Sequence, residues 1–178
     1  MNIALLSIYL NDHLAMMTGE TELAQRTASE NEGSPLGLLL HRYVGEVNEQ
    51  KHCVEHLIRA VGEEPSVAKQ AAAWVMEKMG RLKMNNSLTR YSDLSRLLEL
   101  ESLICAADAR LHLWQSLKPH DTNTMFSTAS GDFARYLTET KRQREALQGF
   151  HAEVSGKALG IPYSEHSEAN ASEEAAAN

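Results

Sequence analysis

The sequence predicts an all-α protein, an up-down-up-down four-helix bundle followed by an additional C-terminal helix. Apolar residues recur with the 3.6-residue period of helices along most of the 178-residue chain. Aromatic residues make up only 6% and there are only four prolines, whereas Leu, Ala, Met and Glu recur, a composition that favours helix over sheet. Short connections with capping residues separate the periodic stretches, and they place consecutive helices antiparallel.

The first two helices are separated by a polar turn. We expect the first over residues 3–29 and the second over residues 35–61. Ser34 is placed as the N-cap of the second helix and Pro35 as its first residue, while Gly62 follows its last turn. Both ends of the second helix are therefore marked in the sequence.

The third and fourth helices complete the predicted bundle. Ser66 and Ser92 are placed as their N-caps, and Lys118 precedes the proline that ends the fourth helix. The fourth helix, residues 92–117, is apolar on nearly every side, so other helices must surround it. The bundle therefore spans residues 1–118.

The C-terminal part of the chain differs in composition. Residues 119–131 are small and polar and read as a linker, and residues 132–159 form a predicted amphipathic helix. Its apolar stripe, from Phe133 to Val154, is thin and interrupted by charge, so we expect this helix outside the bundle, as an association element for a homodimer. The alternative is that it packs against its own four-helix bundle, which would satisfy the same residues. Residues 160–178 are Ser, Glu, Ala and Asn with almost nothing apolar, which predicts a disordered acidic tail.

Charge and hydropathy limit the classes of partner. A net charge of −7 argues against affinity for nucleic acid through phosphate neutralisation. No apolar run approaches the roughly 20 residues of a membrane span. The apolar stretch 3–10 lacks a basic start and a small-residue cleavage site, so it does not read as a signal peptide. Cys53 and Cys105 read as small residues in a reducing compartment, and the expected location is the cytoplasm.

Polar residues fall on the predicted apolar faces of all four bundle helices. In the fourth helix, two carboxylates and an imidazole share a stripe with leucines, and such side chains need partners when buried. Lys78 lies among these carboxylates, which indicates an internal ion pair with Glu20, Glu101 or Asp108. The predicted buried polar layer consists of His13, Glu20, Glu46, Lys78, Glu101, Asp108 and His112. We interpret the chain as a non-catalytic structural or interaction protein with no cofactor.

The alternative interpretation is a metal-binding protein. Carboxylate and imidazole ligands suit iron or manganese, and the second helix contains the E-x-x-H string from Glu49 to His52, although both residues point mostly outward on the helix. The alternative ligands are Glu20, Glu46, Glu49, His52, Glu101, Asp108, His112 and His13. No P-loop, nucleophile elbow or glycine-rich dinucleotide turn is present. Whether the protein is an enzyme stays open at this stage.

Several strings together resemble an uncharacterised bacterial family of ferritin-like four-helix-bundle proteins. They are Tyr9-Leu10-Asn11-Asp12-His13-Leu14, residues 19–23, Ala71-Ala72-Ala73-Trp74, Gly80-Arg81-Leu82-Lys83 and residues 94–101. The resemblance implies a ferritin-like bundle and, for di-iron oxidases and metal stores of that class, a Glu from two helices and an E-x-x-H from two others. Glu20 then stands for one such Glu and Glu49 with His52 for one E-x-x-H. The third predicted helix offers Lys78 instead of a carboxylate, and the fourth has no E-x-x-H.

Overall fold

The computed structural model describes residues 2–66, 91–118 and 132–160, and these residues form helices and no strand. The described helices are α1 (Ile3–Glu30), α2 (Pro35–Ala60), α3 (Asp93–Leu117) and α4 (Phe133–Leu159). The all-α prediction is confirmed, and each of these helices begins and ends within about one residue of its predicted position.

Capping residues explain why the helix boundaries were predictable. The Ser34 hydroxyl accepts a hydrogen bond from the Gly37 amide at 3.1 Å, and the Ser92 hydroxyl accepts one from the Ser95 amide at 3.1 Å. Each cap satisfies an amide that the first helical turn leaves without a backbone acceptor. At the other end of the chain, Gly160 follows α4 with a φ of 65°, a left-handed conformation that favours glycine.

Parts of the predicted architecture lie outside the described residues. These parts are the third predicted helix with Lys78, the linker 119–131 and the tail beyond residue 160. The up-down-up-down order of four helices within residues 1–118 therefore stays a prediction.

The helix α3 packs against both α1 and α4, and α1 also packs against α2. Side-chain bonds give the direction of the α1–α3 pair: Arg26, near the end of α1, bonds Glu99, near the start of α3. Earlier in α1, Glu20 bonds Arg110, which lies later in α3. The two helices are therefore antiparallel. Because α3 lies between α1 and α4, apolar residues on most of its sides can be buried, which agrees with the prediction that other helices surround it.

The C-terminal helix α4 belongs to the core. Its apolar side chains in the common buried cluster are Phe133, Tyr136, Leu147 and Val154. The Trp114 ring of α3 stacks on Phe133, with ring centroids 5.7 Å apart, and lies tilted against Tyr136, with centroids 4.9 Å apart. The expectation that this helix lies outside the bundle is wrong. Its stripe looked thin because Thr140 and Gln143 are also buried there, and hydrophobic periodicity does not count them.

None of the described helices combines the length and the apolarity that crossing a bilayer requires.

Candidate functional site

The most buried charged group described in the protein is Arg110 of α3. It forms an ion pair with Glu20 of α1 in which both side chains are 1% exposed. The Arg110 Nε donates to the two carboxylate oxygens of Glu20 at 3.0 Å and 2.9 Å, and Nη2 lies 2.9 Å from the Glu20 Oε1. A buried ion pair offsets its desolvation cost only when further hydrogen bonds satisfy the remaining donors and acceptors.

Tyr43 of α2 supplies such bonds to both members of the pair. Its hydroxyl donates to the Glu20 carboxylate and accepts from the Arg110 Nη2 at 3.0 Å. Burial and then the Glu20 charge raise the pKa of Tyr43 well above its usual value, so the hydroxyl stays protonated. Burial has the largest single effect and acts to lower the pKa of Arg110, but the charges of Glu20 and Tyr43 and the hydrogen bonds to both residues together outweigh it, and the pKa is raised. The guanidinium therefore stays charged.

Gln50 of α2 links the ion pair to α4. Its amide oxygen accepts from the Arg110 Nη1 at 3.0 Å, from the Trp114 Nε1 at 2.8 Å and from the Thr140 hydroxyl at 3.2 Å. Its amide nitrogen donates to Glu139 at 2.9 Å. One side chain thus joins α2, α3 and α4.

We call these residues the Arg110 network: Glu20, Tyr43, Gln50, Arg110, Trp114 and Thr140. Each of the described helices contributes at least one member. In the described part of the chain, buried side-chain atoms without a hydrogen-bond partner occur only in His13, Gln143 and Arg144, none of them in the network. The network members therefore satisfy one another and leave no buried donor or acceptor aimed at a ligand.

A second buried carboxylate, Glu99, lies nearer the start of α3. It accepts hydrogen bonds from Arg26 at 2.6 Å, from Thr27 at 2.9 Å and from Tyr91 at 2.9 Å. The Tyr91 hydroxyl also accepts from Asn31 at 2.9 Å. Burial, followed by the Glu99 charge, raises the pKa of Tyr91. This Glu99 cluster fixes the end of α1 and the entry into α3, and its acceptors are taken up by protein donors.

Charged side chains bridge α2 and α4 at the surface. The Glu46 carboxylate accepts from the Arg142 Nη2 at 2.8 Å and from the Gln143 amide at 2.7 Å. Arg135 donates to Glu49. Because the two arginines and Glu49 are about half exposed, we expect these pairs to add little stability.

Three members of the predicted polar layer, His13, Glu20 and Glu46, lie on α1 and α2. His13 and Glu20 are buried, as predicted. Among the described residues Glu20 pairs with Arg110. Lys78, which was predicted to pair with Glu20, Glu101 or Asp108, lies outside the described residues. Glu46 is half-buried and lies in the surface bridges to α4, not beside Glu20.

The predicted polar stripe of α3 is wrong. Glu101 and His112 are exposed, and Asp108 is only half-buried. Glu101 pairs with His151 at 3.3 Å and Asp108 pairs with Arg144 at 3.0 Å, both across to α4. The buried polar residues of α3 are Glu99 and Arg110. A helix that is apolar almost all round gives no clear phase, so the stripe was placed on the wrong side.

The E-x-x-H string of α2 faces outward, as its phase predicted. The Glu49 side chain is 52% exposed and bonds Arg135. The His52 side chain is 73% exposed and lies 3.4 Å from Glu55. Neither residue approaches Glu20 in the core, so the described residues do not bring the alternative ligands together.

No group of three or more His, Cys, Asp or Glu side chains within residues 2–66, 91–118 and 132–160 is arranged to hold a metal ion. Glu20, the most buried of the alternative ligands, has both oxygens bonded to Arg110. The alternative ligands, all of which lie in the described part of the chain, are thus dispersed or already bonded.

The sequence reasoning missed Arg110, Tyr43, Gln50, Trp114 and Thr140 as members of a site. One signal was present: an arginine stands within an apolar stripe at helical spacing. The stripe consists of Leu103, Ala107, Arg110, Trp114 and Leu117, all of them buried. A charged residue in such a stripe predicts a buried partner on another helix.

The described part of the protein is helical, and the Arg110 network joins its helices through buried side chains whose hydrogen bonds are all made within the protein. Comparison with protein-family models, with curated proteins and with solved structures finds no match.

Proposed function

We propose that this chain is a non-catalytic helical bundle with a structural or interaction role. The observation that carries the proposal is the saturation of Arg110, whose nitrogens all bond side chains of Glu20, Tyr43, Gln50 and Thr140. A catalytic or binding arginine would keep donors available to a substrate or cofactor. Here the donors serve contacts between helices.

A buried polar network of this kind specifies which helices pair and in which register. The partners of Arg110 come from α1, α2 and α4, so a shift of one helix by a turn, about 5.4 Å, would break their bonds. Apolar contacts alone tolerate such shifts more easily, because they have no direction. The network thus supports a role in which a fixed arrangement of helices is what matters.

Association and location belong to the same proposal. We propose a homodimer formed through helices and a location in the cytoplasm, where the two cysteine thiols, Cys53 and Cys105, stay reduced. The helix α4 no longer supplies the reason for a dimer, because its apolar residues are buried within the chain. Light scattering on the full chain tests this part.

The competing hypothesis is a ferritin-like metal-dependent oxidase or metal store that holds iron or manganese. It predicts about one or two ions per chain and a loss of stability when they are removed. The structural proposal predicts no stoichiometric metal and an unfolding temperature that a chelator leaves unchanged.

Elemental analysis separates the two hypotheses. The protein is purified without chelator, and iron and manganese are quantified per chain before and after dialysis with either ion. A Glu20→Gln variant serves as control, since Glu20 is central to the alternative ligand set. Stoichiometric iron or manganese in the wild type would overturn the structural proposal, and its loss in a Glu20→Gln variant that still folds would assign the ion to Glu20.

A further inference from the structure

Two histidines stand four residues apart on the exposed side of α2. The His52 side chain is 73% exposed, and His56 is exposed as well. Residues at this spacing lie about 40° apart around a helix axis, with Cβ atoms about 5–6 Å from each other. Because helical side chains lean towards the N-terminus, His56 leans over the turn that carries His52. Histidines at this spacing on one helix face are the zinc-binding pair of helical metal sites.

Glu55 lies beside the first of the two rings. Its Oε2 is 3.4 Å from the His52 Nδ1. A neutral imidazole carries one hydrogen, and a hydrogen on Nδ1, towards the carboxylate, leaves the lone pair of Nε2 for a metal ion. Histidines that bind metals almost always donate their other N–H in this way, which fixes the orientation of the ring and raises its basicity.

The core fixes the turn of α2 that carries the two histidines. Val54 and Leu57 lie on the opposite side of this turn and are fully buried. The backbone is therefore held in place before an ion binds, so chelation orders two side chains and no main chain. Arg59, one turn further on, lies 3.9 Å from Glu55, and that carboxylate offsets the positive charge next to the pair.

We propose that His52 and His56 form a chelating site for a divalent ion of the nickel, copper and zinc group on the surface of α2. Imidazole nitrogen suits these ions, whereas manganese and iron(II) stand lower in the usual order of affinity. Water fills the other coordination positions, because no group of three or more His, Cys, Asp or Glu in the described ranges is arranged to hold a metal ion. Two protein ligands bind an ion reversibly, so the site fills when the ion is supplied.

The proposed site is separate from the centre that the metal-dependent alternative needs. That alternative takes Glu49 with His52 as an E-x-x-H and adds Glu20 in the core. The chelating pair uses His56 instead and leaves Glu49 bonded to Arg135. Occupation of the pair therefore leaves the Arg110 network unchanged and goes beyond the structural role proposed above.

Isothermal titration of the full chain, without an affinity tag, with nickel chloride and with zinc chloride tests the site. We expect one ion of either metal per chain. His52→Gln and His56→Gln each remove one of the two ligands and should weaken binding by at least about tenfold. His41→Gln is the matched control, since it makes the same change at another exposed histidine of α2, whose side chain is 55% exposed, and it should bind like wild type.

A spacing variant separates chelation from the mere number of histidines. The double variant His56→Gln, Arg59→His keeps that number but places the two rings seven residues, about 10 Å, apart along the helix, so it should bind as weakly as His56→Gln. Circular dichroism without metal checks that each variant is folded, which we expect because all these positions are exposed.

Three results would overturn the proposal. They are a wild-type chain that binds neither ion, a single variant of the pair that binds like wild type, and a spacing variant that binds as tightly as wild type. A Glu20→Gln variant that folds should bind nickel with unchanged affinity, which keeps this test independent of the search for iron or manganese in the core.

Discussion

Arg110 and Glu20 make a buried ion pair in which the guanidinium Nε lies 3.0 Å and 2.9 Å from the two oxygens of the carboxylate. Transfer of two charges from water to a protein interior costs several kcal/mol per ion, and their attraction alone does not reliably repay it. Here Tyr43 bonds both members and Gln50 bonds the arginine. The pair therefore depends on its surroundings, and changes to it should have effects that are far from additive.

Replacement of one partner leaves the other as an unpaired buried charge. Arg110→Met should lower the free energy of unfolding by about 3–5 kcal/mol because Glu20 keeps its charge without a counterion. The double variant Arg110→Met, Glu20→Gln should lose less than the single variant. Urea unfolding measures both. The exposed pair of Arg135 and Glu49 is the control, and Arg135→Met should change the free energy by about 1 kcal/mol or less.

An equal loss for Arg110→Met and Arg135→Met would contradict the assignment of a buried ion pair. A double variant less stable than the single one would show that the network, and not the stranded charge, dominates the cost.

Gln50 tests the hydrogen-bonding part of the network without a change of charge. Gln50→Leu removes the acceptor of the Arg110 Nη1 and of the Trp114 Nε1, so we expect a loss of about 2–4 kcal/mol of stability. Gln148→Leu makes the same chemical change at an exposed position of α4 and should stay within about 0.5 kcal/mol of wild type. Thermal and urea unfolding of both variants give the comparison, and similar values would refute the role of Gln50.

The sequence predicted helix boundaries better than helix faces, and the reason is physical. Ser34 and Ser92 act through local hydrogen bonds within one turn, so their effect is visible in a few neighbouring residues. Which side of α3 is buried depends on α1 and α4, which are distant in sequence. Apolar residues occupy almost the whole circumference of α3. Periodicity alone therefore did not decide whether the side with Glu101 or the side with Arg110 is buried.

The same limit applies to α4 and to the network. The buried Thr140 hydroxyl donates a hydrogen bond to Gln50 and accepts one from Arg110, and no local pattern around Thr140 contains that information. Glu20 was placed correctly in the core, but Lys78 was predicted as the partner of Glu20, Glu101 or Asp108, and Arg110 was not considered. A polar residue within an apolar stripe is predicted to be buried. The identity of its partner can be predicted only when the tertiary arrangement of the helices is known.

The turn between α1 and α2 imposes a steric limit at Gly37. A Cβ atom there would fall far inside contact distance of the Asn31 backbone oxygen, which cannot move as a flexible side chain could. Gly37→Ala should therefore destabilise the protein even though alanine favours helix. Gly45→Ala in the same helix is the control: its Cβ would meet nothing within 4 Å, and we expect a gain of up to about 1 kcal/mol. Opposite shifts of the unfolding temperature confirm the argument, and two gains would refute it.

Alkaline pH should destabilise the protein through Tyr43, which is buried, and Tyr91, which is half-buried. The pKa values of Tyr43 and Tyr91 are raised in the folded state, chiefly by burial and then by Glu20 and Glu99, respectively. An unfolded tyrosine loses its proton at about pH 10, so these groups contribute stability that is fully present below about pH 10 and lost as the pH rises above it. Urea midpoints measured at increasing pH should fall in wild type and fall less steeply in Tyr91→Phe. A parallel fall in the two proteins would exclude Tyr91 as a source of the effect.

Removal of α4 tests whether this helix belongs to the core or is an appendage. A chain that ends at Lys118 lacks Phe133, Tyr136 and Leu147, and it leaves Trp114 without its two aromatic neighbours and Arg110 without Thr140. We expect it to lose the cooperative unfolding transition of the full chain, because exposed apolar surface and an incomplete polar network replace a packed interface. A chain that ends at Gly160 retains α4 and should unfold like the full chain, as followed by circular dichroism in urea. The opposite result would be a chain ending at Lys118 that unfolds cooperatively with the stability of the full chain. If light scattering then shows this shortened chain to be a monomer and the full chain a dimer, α4 is an association element.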